Sequence, residues 1–258
     1  GAKEGQLSKT SRRAAPRITL DEAARIAGRH RIRPHVWLRN NGYLFEGVPL
    51  KGSSLIDIGS GAGWASAYAA VAGARRVVSV EPQADGSGSD MLETAAAVRR
   101  ELGLEDVVEI VPKTIEQAGI SEKFDIVLVN NAVNHIHEEA CAIVDRDVEA
   151  QAVYAPFFQQ LADSCVEGGT LIITDCSNRN FFGDLGVKNP IMRTINWRIH
   201  QPPQVWARLL QPYGFVDPRI SWTPLARTGW LGRLLGRNRL AAYFINSHFR
   251  LRMTRRAR

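Results

Sequence analysis

Cysteine is scarce in this chain. Only Cys141, Cys165 and Cys176 occur in 258 residues, and their odd number and wide spacing argue against a disulfide framework. The apolar surroundings of Cys165 and Cys176 predict buried thiols. No apolar run reaches the roughly 18 residues of a membrane span, and the N-terminal stretch lacks the apolar core of a secretory signal. A reducing cytoplasm is therefore the expected location. Acid is scarce in one part only. Residues 179–258 hold 15 Arg and Lys against Asp184 and Asp217, a net +13, whereas residues 1–178 hold 18 bases and 24 acids, a net −6, within an overall +7. Such a basic part suits an anionic acceptor, nucleic acid or an anionic lipid surface, or else a solvated face with a basic tail from Arg252 to Arg258. What remains is ordinary globular composition, 45% hydrophobic and 23% charged, enough for one large α/β domain. No internal repeat is apparent.

One stretch organises the rest: Leu55-Ile56-Asp57-Ile58-Gly59-Ser60-Gly61-Ala62-Gly63-Trp64. Ser54 to Ile58 reads as a buried strand, and the Ala-rich run from Ala65 to Ala72 reads as a helix. A strand, a glycine turn and a helix N-terminus form the nucleotide-binding corner of a doubly wound sheet. Three glycines stand in the turn because side chains at those positions would hold the backbone away from a ligand. A dinucleotide fingerprint requires a third glycine where Trp64 stands, and a phosphate-binding P-loop requires a Lys that this turn lacks. After the helix, Arg76 to Val80 reads as a second strand that ends on Glu81. A carboxylate at that strand end can accept both ribose hydroxyls of a bound nucleoside.

Further elements follow in alternation. Asp21 to Ala27 is a helix capped by Thr19 or Asp21, and a second amphipathic piece runs from His35 to Phe45, with Trp37 and Tyr43 as candidate ligand contacts. The loop from Pro82 to Asp90 is rich in glycine and serine, which indicates mobility. Met91 to Leu102 is helical, Val107 to Val111 is a strand, and Phe124 to Asn131 is a fourth strand. Helices follow from Ala140 and over Ala152 to Ser164, then a fifth strand from Gly168 to Asp175. The helix Gln204–Leu210 precedes strands expected near Val216–Trp222 and Leu240–Phe249.

The glycine spacing, Asp57 two residues before Gly59, and the acid-ended strand resemble motif I and its sequel in the class I S-adenosylmethionine-dependent methyltransferases of small-molecule type. Phe124-Asp125 opening an apolar run resembles motif IV of the same family. The resemblance covers residues 51–178 well and 204–250 in outline. It implies a doubly wound, mostly parallel seven-stranded sheet with helices on both faces and an antiparallel last strand. Residues 1–17, rich in Gly, Lys, Ser and Arg, read as a disordered basic tail. The resemblance implies 18–50 as leading helices over the active-site mouth and 51–258 as the methyltransferase domain, and the aromatic residues at about 178–206 read as a lid-like insertion. The implied cofactor is S-adenosyl-L-methionine, held by Asp57, Gly59, Ser60, Gly61 and Gly63, by Glu81 and Pro82, by Thr114 and Ile115 near the adenine, and by Asn130.

Methyl transfer to oxygen or nitrogen calls for loss of the acceptor's proton. His135 is the first candidate base, with His200 as its rival, and Asn134, His137, Asn178 and Trp197 are candidate acceptor contacts. His137 and Cys141 share a helical face but do not make a metal site. Of the acids used by metal-assisted relatives only Asp175 is present, so no metal is expected. The Asn/Asp-Pro-Pro-aromatic signature of base-amino enzymes is replaced by Asn130-Asn131-Ala132-Val133, and no Pro precedes a cysteine; both features argue against nucleic acid. The expected acceptor is a hydroxyl, or second to it an amine, of a small molecule such as a sugar or a secondary-metabolite intermediate. Two alternatives stand beside it: a methyltransferase-fold binding or regulatory protein without turnover, and a membrane-peripheral enzyme on a lipid-linked acceptor. The latter is suggested by the alternating apolar and basic residues from Trp230 to Arg237.

Overall fold

Strand β1 (Ser54–Ile58) is buried along its whole length and lies between two parallel neighbours. A strand covered on both faces reads as a continuous apolar run, as it does here apart from Asp57. The computed structural model describes residues 18–82, 89–190, 195–223, 237–245 and 247–256. Around β1 lie β2 (Arg76–Val80), β3 (Val108–Val111), β4 (Phe124–Asn130), β5 (Cys165–Cys176), β6 (Phe215–Trp222) and β7 (His248–Arg255), in the order β3-β2-β1-β4-β5-β7-β6. Strand β7 runs antiparallel to both β5 and β6, while the other pairings are parallel. The order reverses at β1, so a crevice opens beyond the C-terminal ends of β1 and β4.

Side chains alternate across the sheet, and each face has its own core. Leu55, Ile126, Leu128 and Ile172 pack against α1 (Leu20–Arg29), α2 (Pro34–Leu44) and α3 (Trp64–Val71), with Val98 of α4 (Ser89–Glu101). Ile56, Ile58, Val127, Val129 and Ile173 pack on the opposite face against α7 (Val148–Asp163) and α9 (Pro203–Leu210). There Tyr154, Phe157, Phe158 and Trp206 form a connected ring cluster. The short helices α5 (Ile115–Ala118), α6 (Glu138–Cys141) and α8 (Phe181–Asp184), and α10 (Arg239–Ile245), complete the described helices.

The leading helices are fixed by local signals and by ring contacts. Thr19 accepts from the Glu22 N–H while Glu22 accepts from the Thr19 N–H, a capping box that starts α1. Trp37 of α2 donates its indole N–H to the Trp64 carbonyl (3.3 Å) and meets Tyr68 edge-on. At the opposite end of β1, the Ser54 N–H and hydroxyl donate to Asp125 Oδ2 at 2.8 and 2.9 Å, and the Asp125 N–H donates to Ser54 Oγ. The motif-IV carboxylate thus clasps β1 to β4. Those donors, led by the Ser54 N–H, hold its pKa below the usual carboxylate value.

One expectation is corrected. Residues 239–245 are helix α10, because Leu-Ala-Ala favours helix and Asn238 Oδ1 accepts from the Ala241 N–H at its start. The last strand begins only at His248, after Ser247 turns the chain at a φ of 49°. Arg252 and Arg255, expected in a loose basic tail, belong to this strand. The tail 1–17, most of the Pro82–Asp90 loop (83–88) and the Trp230–Gly236 stretch lie outside the described residues.

The turn after β1 is hung from β2. The Gly59 and Ser60 N–H groups donate to the Val80 carbonyl, and Gly59, Gly61 and Gly63 all have positive φ. A Cβ on Gly59 would lie 2.5 Å from the Ala132 Cβ, whereas one on Gly61 would meet nothing within 4 Å. Gly61→Ala should therefore cost about 1 kcal/mol of backbone strain, and Gly59→Ala about 2–4 kcal/mol once overpacking is added. Urea unfolding of the two variants checks that ordering.

Candidate functional site

The turn and the end of β2 form one side of the crevice. Gly61 donates its N–H to Glu81 Oε2 at 2.7 Å, and Ser79 Oγ donates to Ser60 Oγ at 2.7 Å. Glu81 Oε1 makes no hydrogen bond to the described residues. Below the turn, Asp57 is fully buried and accepts from Ser66 Oγ at 2.7 Å through Oδ2, while Oδ1 has no partner. Burial pushes this carboxyl up to about 7, and the nearby Glu81 charge adds to the effect against the Ser66 hydrogen bond. Pro82 follows Glu81 at the crevice rim. Thr114 accepts from the Gln117 N–H as the N-cap of α5, and Ile115 behind it is buried in the core.

The other side is a cavity of about 590 Å³. Its floor is one row of side chains crossing four strands: Asn130 of β4 beside Thr174 of β5, Thr174 beside Arg250 of β7, and Arg250 beside Ser221 of β6. Thr174 Oγ1 donates to Asn130 Oδ1 at 2.6 Å and accepts from the Asn131 N–H. Asn131 has a φ of 53°, a conformation that Asn tolerates better than most residues, and its side chain meets His248 Nε2 at 2.9 Å. Burial lowers the His248 pKa, with the Asp175 charge acting weakly in the other direction. Trp37, Asn40, Asn41, Tyr43 and Leu44 of α2 form the roof, Trp64 and Ala65 one wall, and Trp222 and Arg237 another. Arg237 pairs with Glu46 through two contacts of 2.8 and 2.9 Å and lies over the Tyr43 ring.

Of the residues singled out from the sequence, Asp57, Gly59, Ser60, Gly61, Gly63 and Glu81 gather at the turn, and Asn130 lies where the turn side meets the cavity. Asn134, His135, His137, Asn178, Trp197 and His200 do not line the cavity. His135 is exposed and bound through Nδ1 to Glu138 Oε1 (2.8 Å). Asn134 is buried, and His137 lies at the surface with its ring edge-on to Tyr154. His200 is buried against Asp175 Oδ1 at 2.9 Å, with Trp197 beside it. Asp175 directly follows Thr174, so alternation sends this pair to the opposite face of the sheet. No described residue of the 178–206 segment lines the cavity.

Sequence reading missed Thr174, Ser221, His248 and Arg250. A signal for the last two was present: His248, Arg250 and Arg252 alternate with the buried Phe249, Leu251 and Met253. All three cysteines are buried, and burial pushes each thiol up to about 12, which removes them as nucleophiles at neutral pH. No cluster of three or more His, Cys, Asp or Glu able to hold a metal ion occurs among the described residues. Nor is any helix among them long and apolar enough to cross a membrane.

Comparison with known proteins agrees with this fold. Residues 56–148 match the methyltransferase domain family. The fold is similar to a putative S-adenosylmethionine-dependent methyltransferase from Listeria monocytogenes (TM-score 0.55, 14% identity, 86% of this chain and 99% of that one). It is also similar to magnesium protoporphyrin IX methyltransferase from Synechocystis with bound SAH (TM-score 0.55, 17% identity, 98% and 90%). Among curated proteins, protein arginine N-methyltransferase 6 of Danio rerio is 30% identical over 79 residues, 31% of this chain and 21% of the relative. The chain thus spans about a fifth of the length of the curated relatives it matches. Its fold is that of the S-adenosylmethionine-dependent methyltransferase structures, and residues 56–148 are similar to the methyltransferase domain family.

The buried Asp57 has a consequence for stability. Its folded pKa of about 7 lies above the ordinary 3.8, so its favourable contribution is complete below about pH 4 and is lost as pH rises through 7. Asp57→Asn removes that loss. The ligand-free variant should be more stable than the parent by about 2–4 kcal/mol near pH 8, with the gap closing toward pH 4, as thermal melts across that range would show.

Proposed function

We propose that the chain is an S-adenosylmethionine-dependent methyltransferase acting on a hydroxyl, or second to it an amine, of a polar, ring-bearing small molecule. The observation that carries the reading is the shared wall between turn and cavity. Trp64 and Ala65, which directly follow Gly63, and Asn130, at the end of β4 beside β1, all line the cavity. A volume of about 590 Å³ fits a small acceptor. Indole and phenol walls from Trp37, Trp64, Trp222 and Tyr43 suit the faces of a ring, while Asn40, Asn41, Asn130 and Asn131 suit its hydroxyls. The amine stays as second choice because the curated relatives are named for arginine N-methylation.

The donor side fits a nucleoside-bearing cofactor. The turn offers backbone at three glycines, Glu81 keeps one oxygen for a ribose hydroxyl, and Asp57 Oδ1 lacks a partner. When bound, S-adenosylmethionine supplies a methyl group already activated by the positive sulfur. The chain's own work is then alignment and proton removal. Asn130, held by Thr174, orients the acceptor. His248 takes its proton, because the lowered pKa keeps the imidazole neutral at physiological pH.

Calorimetric titration should give micromolar-range binding of S-adenosylmethionine and none of NADH. Glu81→Ala should weaken the former by about 1–3 kcal/mol; tight NADH binding without sulfonium binding would overturn the reading. Labelled methyl transfer into cell extract supplies the acceptor assay. In that assay His248→Ala should lower turnover about 10²–10⁴-fold, and His135→Ala should leave it nearly intact. The parent's rate should fall only in acid, where the imidazole, its pKa lowered by burial, takes up a proton.

A further inference from the structure

The aromatic residues of the 178–206 segment do not enter the cavity, and on α8 they lie at the surface beside α10. Phe181 meets Phe244 at 5.1 Å, Tyr243 at 6.4 Å and Phe182 at 5.3 Å, and the Tyr243 hydroxyl bonds to Asp184 Oδ2 at 3.0 Å. These rings are the base of an apolar patch whose outer members stand in water: Leu185 is 61% exposed, Val187 51%, Leu240 69% and Phe244 48%. Folding alone does not account for four large apolar side chains left uncovered on two adjoining segments. Basic residues stand among them in the sequence. Within 179–190 and 237–245 stand Arg179, Lys188, Arg237 and Arg239, and Asp184 is the only acid. That acid accepts from Tyr243 and pairs with Arg179 at 4.0 Å, and Arg237 pairs with Glu46, so the positive excess rests on Lys188 and Arg239.

We infer that the α8–α10 face is a docking surface for an anionic lipid bilayer, with Leu185, Val187, Leu240 and Phe244 entering the headgroup boundary and the interspersed Arg and Lys facing lipid phosphates. Apolar side chains interspersed with cations, on and just after short helices that cannot span a bilayer, have the composition of an interfacial segment. A protein partner reading the same four side chains would have no need of this excess of positive charge. Helix α10 is also bracketed by two cavity residues, Arg237 before it and His248 after it. Docking through α10 therefore brings the cavity wall up to the membrane plane. This inference does not depend on the chemistry assigned to the cavity.

Co-sedimentation with vesicles tests it, using phosphatidylcholine alone and phosphatidylcholine mixed with phosphatidylglycerol. The parent chain should partition onto the mixed vesicles, less onto the neutral ones, and less as salt is raised. Leu240→Ser with Phe244→Ser should lower partitioning about tenfold or more. Lys188→Glu with Arg239→Glu should lower it at least about fivefold per residue on the mixed vesicles alone. Melting curves and S-adenosylmethionine titration, which do not report on this face, establish that both variants are folded. The inference is overturned if the parent stays in the supernatant with both vesicle types, or if the folded variants sediment like the parent. It is equally overturned if light scattering shows a dimer that the Leu240/Phe244 variant loses, since the patch would then belong to a second copy.

Discussion

A half-buried guanidinium holds the cavity in shape. Arg250 rises from β7, donates to Ser221 Oγ on β6, and donates to the carbonyls of Tyr43, Leu44 and Glu46 where α2 ends. Helix α2 has no basic residue in its own last turn, so the cation that its dipole favours comes from a strand some two hundred residues away. Arg252 adds a second tie, to the Gly47 carbonyl at 2.7 Å. Burial, together with the neighbouring Arg252 and Arg237 charges, depresses the Arg250 pKa, yet a guanidinium stays charged at any physiological pH. That charge is balanced by carbonyl oxygens and the helix end. The roof formed by Trp37, Asn40 and Tyr43 is positioned by this balance together with the apolar packing of Trp37 and Leu44 on the sheet face.

The donor side was far more legible in the sequence than the acceptor side, and the difference is physical. A strand, a glycine turn and an acid-ended strand form a local constellation: Asp57, Gly59, Gly61, Gly63 and Glu81 lie within one stretch of chain, and each type is dictated by backbone geometry or by a ligand's charge. The cavity floor is a non-local object. Asn130, Thr174, Ser221 and Arg250 meet only through strand register, and no spacing along the chain announces that meeting. Register also separated neighbours in sequence. Thr174 and Asp175 sit side by side, yet one serves the cavity and the other holds His200 on the opposite face. Reading the last strand as ending at Phe249 hid His248 and Arg250, because the alternation that reveals them begins where that reading stopped.

The two sides also differ in how they treat charge. At the turn a carboxylate is buried with one oxygen unpaired, a state with a cost that a bound cationic ligand would relieve. Across the crevice the charges are already matched: Arg237 by Glu46, and Arg250 by the end of α2. Asp125 shows a third use of the same side-chain type, closing β1 on β4 far from either ligand region. A carboxylate at a motif position is thus as often a clasp as a contact, and its hydrogen-bond donors decide which.

The place of β7 has a further consequence, for the order of assembly. It is the last strand of the sheet in sequence but an interior one in space, lying between β5 and β6. While the chain is being made, β5 presents an open edge and β6 has no partner until residues 248–255 leave the ribosome. The nascent protein therefore keeps one edge of β5 open through the synthesis of the basic part, and β6 stays unpaired from its own completion at Trp222 until β7 appears. Over that interval it is the many like charges of residues 179–258, keeping chains apart, that oppose edge-to-edge pairing with another copy.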